Sequence, residues 1–398
     1  MKKLKVSKIV ALAGIAAVLF GFASCDTNAD DSSNLAAAVL LGQKSVGTAG
    51  TPEQPDSFEL TDNGIKLNGV LLEKTADKKV MNSDVTVAGS DFIESSAYDD
   101  YYDDYKGVFI NGRNVTLSPF IMGKYEVTQE LYKAVMNGQK VTVGGTEYTL
   151  NAEPSYCFDG STDFLLADGE TQKYRPVENV TWYDAVYFCN VLSEKLGLTK
   201  AYVIEVSSVS SNHITDANVT PVTNANGYRL PTEAEWEFAA RGGDSTKADW
   251  NYLFSGAATG KVSTEEGAAD ATYSDDTNTG LDSVGWYWYN IANGTTSDSS
   301  PSYGTAGYGT HEVGKKAANA LGLYDMSGNV YEWCYDWYDS VSTGDVTDPS
   351  GASSGSSRVD RGGSWDGYAN FASVCYRDSS DPSHRYDLLG FRVCRSVK

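Results

Sequence analysis

The sequence predicts an irregular α+β domain in which short strands and helices are joined by many turns. Three blocks, residues 114–135, 175–196 and 227–243, each contain an extended segment followed by a helix-like pattern. The chain has 39 glycines among its 398 residues and few long apolar periodic runs. This composition favours short elements, and the length permits one large domain or two smaller ones.

The first block predicts a strand with Val115, Leu117, Phe120 and Met122, followed by a helix that begins after Thr128 as its N-cap. The second predicts a helix capped by Thr181, with an apolar stripe along one side and Gly197 after its end.

The third block predicts a short strand and then a helix that begins at a capping box formed by Thr232 and Glu235. Residues 284–289 are core-like, residues 320–337 are the next ordered block, and residues 340–357 are predicted to be a Gly/Ser/Asp linker.

The charge excludes several classes of partner. The net charge is -22 and the isoelectric point is near 4.5. Nucleic acid and anionic membrane surfaces both require clustered Lys and Arg, so neither is an expected partner. The 26 tyrosines and 8 tryptophans suit an irregular core and also an exposed binding face.

Residues 1–25 are predicted to be a targeting segment. A basic start, residues 1–5, precedes an apolar stretch at residues 9–22 that is too short for a stable membrane-spanning helix. The segment ends in Phe-Ala-Ser-Cys, which resembles the cleavage box of bacterial lipoproteins, where Cys25 becomes the lipidated first residue. Plain secretion is the alternative. We therefore expect a lipid-anchored protein of the cell envelope, at the outer membrane or the cell surface.

The next two segments precede the predicted main domain. Residues 26–56 are rich in Asp, Ser, Asn, Ala, Gly and Thr and lack a face that could be buried, which predicts a disordered tether. Residues 57–84 alternate weakly and are predicted to be an N-terminal extension that adds a strand or hairpin.

The chain has six cysteines, so lipidation of Cys25 would leave an odd number. No two of them have metal-ligand spacing, and with only three histidines a Cys/His zinc site is not expected. A bridge between Cys189 and Cys394 remains an open alternative.

The C-terminal run, residues 358–395, organises the functional prediction. It opens with Arg-Gly-Gly-Ser-Trp at residues 361–365 and closes with Gly-Phe-Arg-Val at residues 390–393. No helical or strand period survives between them, and the mix of Gly, Ser, Asn and Tyr is typical of a binding surface. An ordinary surface loop between two core strands is the alternative.

Several blocks together resemble the formylglycine-generating enzyme, or sulfatase-modifying factor, family. The blocks that carry the resemblance are residues 125–128, 176–177, 180–184, 229–237, 322–333, 361–365 and 390–392. The resemblance implies the formylglycine-generating-enzyme fold, which is related to C-type lectins, over residues 85–398.

The resemblance also implies a chemistry that this chain lacks in part. Enzymes of the family oxidise a substrate cysteine to formylglycine with copper held by two cysteines, because Cu(I) requires soft thiolates. Cys375 stands near the second position, but Asn370 stands five residues earlier. Copper is therefore not expected, and a non-catalytic member of the family is favoured over an enzyme, which stays the alternative. If the chain were an enzyme, Cys375, Ser364 and Arg377 would be its catalytic residues; otherwise Ser364 and Arg377 support structure. Three scattered histidines likewise do not supply an iron site.

The C-terminal frame resembles, in addition, the variable region of proteins diversified by retroelements, some of which are treponemal lipoproteins. Trp, Met, Lys, Gln and Glu are absent from residues 366–389, as codons ending in cytosine require. The resemblance implies a ligand-binding surface made by Trp365, Asp366, Gly367, Tyr368, Asn370, Phe371, Tyr376, Ser383, His384, Tyr386, Asp387 and Leu388.

A structural calcium ion is a further expectation from the resemblance. The backbone carbonyls of Ser327, Gly328 and Val330 and the Glu332 carboxylate match a calcium-binding loop of the family. The alternative is that Glu332 and Asn329 only cap the turn.

Three functions remain in view. The first is a lipid-anchored surface protein that binds a protein or glycan through residues 365–389. The second is an oxidase that converts a substrate cysteine to formylglycine, or a related peptide-modifying enzyme. The third, a structural envelope protein, predicts no saturable ligand.

Overall fold

The computed structural model describes residues 56–90, 102–158, 160–260, 278–291 and 302–397. The predicted signal peptide, Cys25 and the tether up to residue 55 lie outside these residues. Among the helices that the structure describes, none has the length and apolar character needed to cross a bilayer.

Four α-helices occur in the described residues, and the three helix starts that the sequence predicts are confirmed. Thr128 accepts a hydrogen bond from the Leu131 amide, and Thr181 and Thr232 each form a capping box. The glycine predicted to follow the second helix, Gly197, has a φ of 69°. The helices are α1 (Gln129–Met136), α2 (Trp182–Lys195), α3 (Glu233–Ala240) and α4 (Thr279–Val284).

Seventeen short strands occur in the same residues, which confirms the α+β class. They are β1 (Phe58–Thr61), β2 (Gly64–Leu67), β3 (Val70–Leu71), β4 (Asp77–Lys79), β5 (Val85–Ala88), β6 (Arg113–Leu117), β7 (Phe120–Gly123), β8 (Lys140–Val143), β9 (Thr146–Thr149), β10 (Tyr202–Ser210), β11 (His213–Pro221), β12 (Tyr331–Trp337), β13 (Gly344–Thr347), β14 (Arg358–Arg361), β15 (Arg377–Ser380), β16 (Leu389–Gly390) and β17 (Cys394–Ser396).

The central sheet has the order β15-β14-β12-β16 and contains most of the C-terminal run. Its neighbours are the three-stranded sheets β13-β6-β5 and β17-β7-β4 and the sheet β1-β2-β3, with hairpins β10-β11 and β8-β9. One hydrophobic cluster joins α1 and α2 to Trp333 and Phe391, and a second joins α3 to Val359. The central sheet therefore has a buried helix partner on each side.

Register assigns the charged residues of the central sheet to opposite faces. Glu332, Arg361 and Arg377 are aligned in one rung across β12, β14 and β15. Asp360 is aligned with Asp378 in the next rung. Because successive side chains of a strand point to opposite faces, the two rungs face opposite sides of the sheet.

Some local predictions were wrong. Residues 340–357, predicted to be a linker, include β13, which pairs with β6. The single strand predicted over residues 115–122 is divided into β6 and β7. Residues 227–230 form only an isolated bridge between Arg229 and Cys394. The Cys189–Cys394 disulfide is absent, because all five described cysteines are buried free thiols.

Residues 57–84, predicted to be an extension, contribute a strand to the main domain. β1, β2 and β3 form a small antiparallel sheet of their own. β4 instead pairs antiparallel with β7, whose other edge pairs with the C-terminal β17.

Candidate ligand-binding surface

Two buried ion pairs hold the start and the middle of the C-terminal run against α3. Arg377 Nε and Nη2 lie 2.7 and 2.8 Å from the two Glu233 oxygens. Arg361 Nη2 lies 2.6 Å from Glu237 Oε2. The two glutamates are four residues apart on α3, so they share one helix face. The helix therefore fixes the positions of β14 and β15.

Opposite charges keep Glu233 ionised in spite of its burial. Burial alone would raise the pKa of Glu233, but the Arg377 and Arg361 guanidinium groups lower it below its ordinary value. Arg377 also donates to the Asp339 carbonyl, and Arg361 donates to the carbonyls of Val374 and Tyr376. The run thus has both charge pairing and hydrogen bonds at each anchor.

A third buried pair holds the end of the run. Arg392 donates to both oxygens of Glu332, with Nε–Oε2 2.6 Å and Nη2–Oε1 2.5 Å. Trp236 Nε1 donates to the same Oε2 atom at 2.7 Å. Glu332 is fully buried. The Arg392 guanidinium group therefore already balances the charge of the carboxylate that was predicted to bind calcium.

The predicted calcium ligands do not fit a cation in this arrangement. A calcium ion at Glu332 would have to share the carboxylate with the positive Arg392 side chain. Asn329, the neighbouring turn residue, donates to Glu126 and accepts from the His311 amide. The Glu332 and Asn329 side chains thus both have protein partners, and calcium binding by this loop stays a prediction.

Two of the twelve predicted binding residues do not face solvent. Trp365 is only 2% exposed, and its indole donates to the Asp387 carbonyl at 2.9 Å. Its ring packs against Phe164 and Tyr308. Gly367 is also buried. Trp365 is therefore part of the wall beneath the surface, and the Trp365 and Gly367 predictions are corrected. The other ten are exposed or half-buried: Asp366, Tyr368, Asn370, Phe371, Tyr376, Ser383, His384, Tyr386, Asp387 and Leu388.

An aromatic strip runs across this surface. We define it as Tyr289, Tyr368, Phe371, Tyr376 and Tyr105. Its consecutive ring centroids are 6.3, 6.4, 5.1 and 4.9 Å apart. Asn370 Nδ2 donates to Tyr105 Oη at 2.7 Å. Tyrosine rings offer large contact area at low cost in side-chain entropy, so the strip suits ligand binding.

Sequence reasoning missed two members of the strip and a neighbouring pocket. Tyr105 and Tyr289 come from parts of the chain far from residues 366–388. The only signal in the sequence is that each stands in a segment with other tyrosines. The pocket, of about 230 Å³, adjoins the surface at Tyr386 and Leu388. Its other lining residues are Tyr331, Asp360, Asp378, Ser380 and Leu389.

The candidate catalytic residues do not form a copper site. Cys375 is fully buried, with its sulfur 3.6 Å from Ser373 Oγ, and burial raises the pKa of its thiol to about 12. The position five residues earlier holds the Asn370 amide. Ser364 is buried, and the Arg377 guanidinium is bound to Glu233. No three His, Cys, Asp or Glu side chains in the described ranges are grouped to hold a metal.

Known proteins similar to this chain agree with the fold described above. The sulfatase-modifying factor enzyme 1-like domain family matches residues 72–397. "Chaperone protein LppX" of Paenibacillus barcinonensis is 34% identical over 71% of this chain and 82% of its own length. The formylglycine-generating enzyme of Thermomonospora curvata is 32% identical over 70% of this chain and 83% of its own length.

A solved structure, Treponema denticola variable protein 1, is 33% identical, with a TM-score of 0.57, over 87% of this chain and all of its own. The predicted resemblance, both to the enzymes and to the variable proteins, is thereby confirmed. The chain belongs to the sulfatase-modifying factor enzyme 1-like family, with the fold of the formylglycine-generating enzymes.

Proposed function

We propose that this protein is a non-catalytic member of its family that binds a protein or glycan at the surface formed by residues 366–388. The observation that carries the proposal is the aromatic strip on a segment held by three buried ion pairs. Four of the five rings are half-buried and Tyr105 is buried, so the scaffold holds them in place before a ligand binds, which reduces the entropy lost on binding.

The oxidase alternative lacks support at the site. A copper centre of the expected type needs two thiolates, and here one position holds Asn370 and the other a buried neutral thiol. Arg377 and Ser364, the remaining candidates, are buried. The alternative predicts that copper-loaded protein consumes oxygen when a cysteine-containing peptide is added.

We further propose that the protein is lipid-anchored at Cys25 on the cell surface. The basic start, the apolar stretch and the small residues before Cys25 support this location. The similarity to a treponemal variable protein supports a surface role and motivates the proposal that residues 366–388 vary between isolates. Sequencing the locus from sister isolates tests the variation: changes should cluster in residues 366–388, and an unchanging segment would contradict it.

Binding can be tested on arrays of glycans and of extracellular protein domains. We expect saturable binding by the full chain and its loss in the double variant Tyr368→Ser/Phe371→Ser. Val203, which is 54% exposed on β10, supplies the control variant Val203→Ser. Equal binding by both variants would contradict the proposed surface.

The enzyme test uses the same preparations. After incubation with copper, we expect no stoichiometric metal at Cys375 and no peptide-dependent oxygen uptake. One copper per chain, lost in Cys375→Ser and accompanied by oxygen uptake, would replace the binding proposal with an oxidase.

A further inference from the structure

The acidic pocket beside the aromatic strip has no cationic partner among its lining residues. Asp360 and Asp378 line it together with Ser380, and its walls are Tyr331, Tyr386, Leu388 and Leu389. None of these residues is Lys, Arg or His. The pocket is open at its Tyr386 side, where that ring is 44% exposed.

The two aspartates are placed directly opposite each other. Asp360 of β14 and Asp378 of β15 are register partners in an antiparallel pair, so their side chains lie on the same face. Like charges at such positions destabilise a sheet. In the next rung two like charges, Arg361 and Arg377, also face each other, but each of them has a partner of opposite charge, a glutamate, and the two aspartates lack such a partner among the described residues.

Asp360 is the more deeply buried of the two aspartates, and its carboxyl group has fewer hydrogen-bond partners. It is 2% exposed, and its Oδ2 atom has no hydrogen-bond partner. The Ser380 hydroxyl is within hydrogen-bonding reach of its carboxylate. Asp378 accepts from the Ser379 amide at 2.7 Å, with the Tyr376 hydroxyl 3.5 Å away. A buried carboxylate oxygen without a donor is costly, and a donor supplied by a ligand would remove that cost.

Among the described residues, the cation that acts on Asp360 is already paired elsewhere. The positive group that lowers the Asp360 pKa is Arg361, but its side chain belongs to the opposite rung and binds Glu237. The negative charge of the nearby Asp104 helps to raise the pKa of Asp378, and Asp104 accepts a hydrogen bond from the Tyr338 hydroxyl at 2.6 Å. Burial, followed by the charge of Asp378, raises the pKa of Asp360 well above its ordinary value.

We infer that this pocket binds a basic side chain, an arginine or lysine, of a protein ligand. The inference rests on the proposed function, because Tyr386 and Leu388 belong to both the pocket and the binding surface. A bound cation favours the charged form of both aspartates, which then supply charge-assisted acceptors. The aromatic and leucine walls suit an aliphatic stem that carries a cation. A protein ligand is favoured over a neutral glycan because paired carboxyl groups on the pocket floor favour a cation, which a neutral glycan lacks.

A divalent metal ion is a poorer occupant. The described residues contain no cluster of three or more acidic or histidine ligands with metal-binding geometry. Calcium takes six to eight oxygen ligands, whereas a guanidinium group is satisfied by two carboxylates and a hydroxyl.

The test compares two acetylated, amidated tripeptides, Gly-Arg-Gly and Gly-citrulline-Gly, by calorimetric titration of the full chain. Citrulline keeps the shape of arginine and removes its charge. We expect saturable binding of the arginine peptide with a Kd below about 10 mM and at least tenfold weaker binding of the citrulline peptide. The double variant Asp360→Asn/Asp378→Asn should weaken arginine binding at least tenfold.

A matched control makes the same charge change elsewhere. Glu205 and Asp216 are exposed on the β10-β11 hairpin, so Glu205→Gln/Asp216→Asn should leave peptide affinity within twofold. Tyr368→Ser/Phe371→Ser should also leave it within twofold, because those residues do not line the pocket.

The inference and the proposed function fail differently. Equal binding of both peptides, no binding of either, or displacement of the arginine peptide by millimolar calcium overturns the basic side-chain assignment. The proposed function still stands in those cases if array ligands depend on Tyr368 and Phe371. It falls if array binding is insensitive to those residues, whatever the peptides do.

Discussion

Arg377 and Glu233 form a bidentate buried ion pair that joins the middle of the C-terminal run to the first turn of α3. Arg377 immediately follows Tyr376, the fourth ring of the aromatic strip. The pair therefore helps to fix the position of a half-buried ring on the residue that precedes β15. This arrangement lets the exposed side chains change without altering the strand that carries them.

Breaking this pair should be costly. Arg377→Met leaves Glu233 buried with a weaker partner, so we expect the free energy of unfolding to fall by about 3–5 kcal/mol in urea titrations. Glu233→Gln/Arg377→Met should lose less than the sum of the single variants, because no unpaired charge remains.

The control for this experiment is an exposed pair. Lys133 and Glu153 are 2.6 Å apart at the surface, and Lys133→Met should cost less than about 1 kcal/mol. If Arg377→Met costs no more than that, the pair does not hold the run in place.

The distinction between wall and surface can be measured at Trp365 and Tyr386. Trp365 is buried against Phe164 and Tyr308, whereas Tyr386 is 44% exposed. We expect Trp365→Ala to lower the free energy of unfolding by about 3–5 kcal/mol. Tyr386→Ser should change it by less than about 1 kcal/mol. Similar losses in the two variants would contradict the assignment of Tyr386 to the surface.

The helix starts and the family were predictable because their signals are local. Thr181 and Thr232 cap helices through contacts with residues three positions away, which a short window of sequence contains. The location of the proposed binding surface on residues 366–388 came from local irregularity in the sequence of the same kind. Local patterns failed at β13, whose pairing with β6 joins residues more than two hundred positions apart.

Properties that depend on long-range register could not be predicted. Trp365 appeared equivalent to Tyr368 in sequence, yet one is buried and the other is half-exposed. The Glu332 carboxylate appeared available to a metal because its partner, Arg392, is sixty residues away. The opposition of Asp360 and Asp378 likewise follows only from strand pairing.

The five described cysteines should be unreactive in the folded protein. All are buried, and burial raises the thiol pKa of Cys157 and Cys375 to about 12. Iodoacetamide at pH 7.5, followed by peptide mapping, should label them rapidly in urea and very slowly without it. Fast labelling of native Cys375 would indicate an accessible thiolate and would favour the enzyme alternative.

The final prediction concerns the pH dependence of stability at Asp360. Burial and the facing Asp378 carboxylate raise the pKa of Asp360 in the folded state, while its pKa in the unfolded state is about 3.9. The folded state therefore retains a proton that the unfolded state has lost, and this contribution to stability falls as pH rises above the unfolded value. The other groups that act on Asp360 are Asp378, Ser380, Arg361 and Glu233.

Asp360→Asn removes this pH-dependent loss. We expect the variant to exceed the wild type in free energy of unfolding by about 0.5–1 kcal/mol at pH 7.5, since the amide removes the cost of protonating or charging a buried carboxyl that faces Asp378. The difference should shrink as pH falls and should vanish below the unfolded-state pKa of about 3.9, where the wild-type carboxyl becomes protonated in both states. Thermal unfolding at several pH values measures it, with Asp216→Asn on the hairpin as the control. A difference that is constant with pH would show that Asp360 does not titrate in this range, and that the opposed carboxylates do not carry the electrostatic cost that a bound cation would relieve.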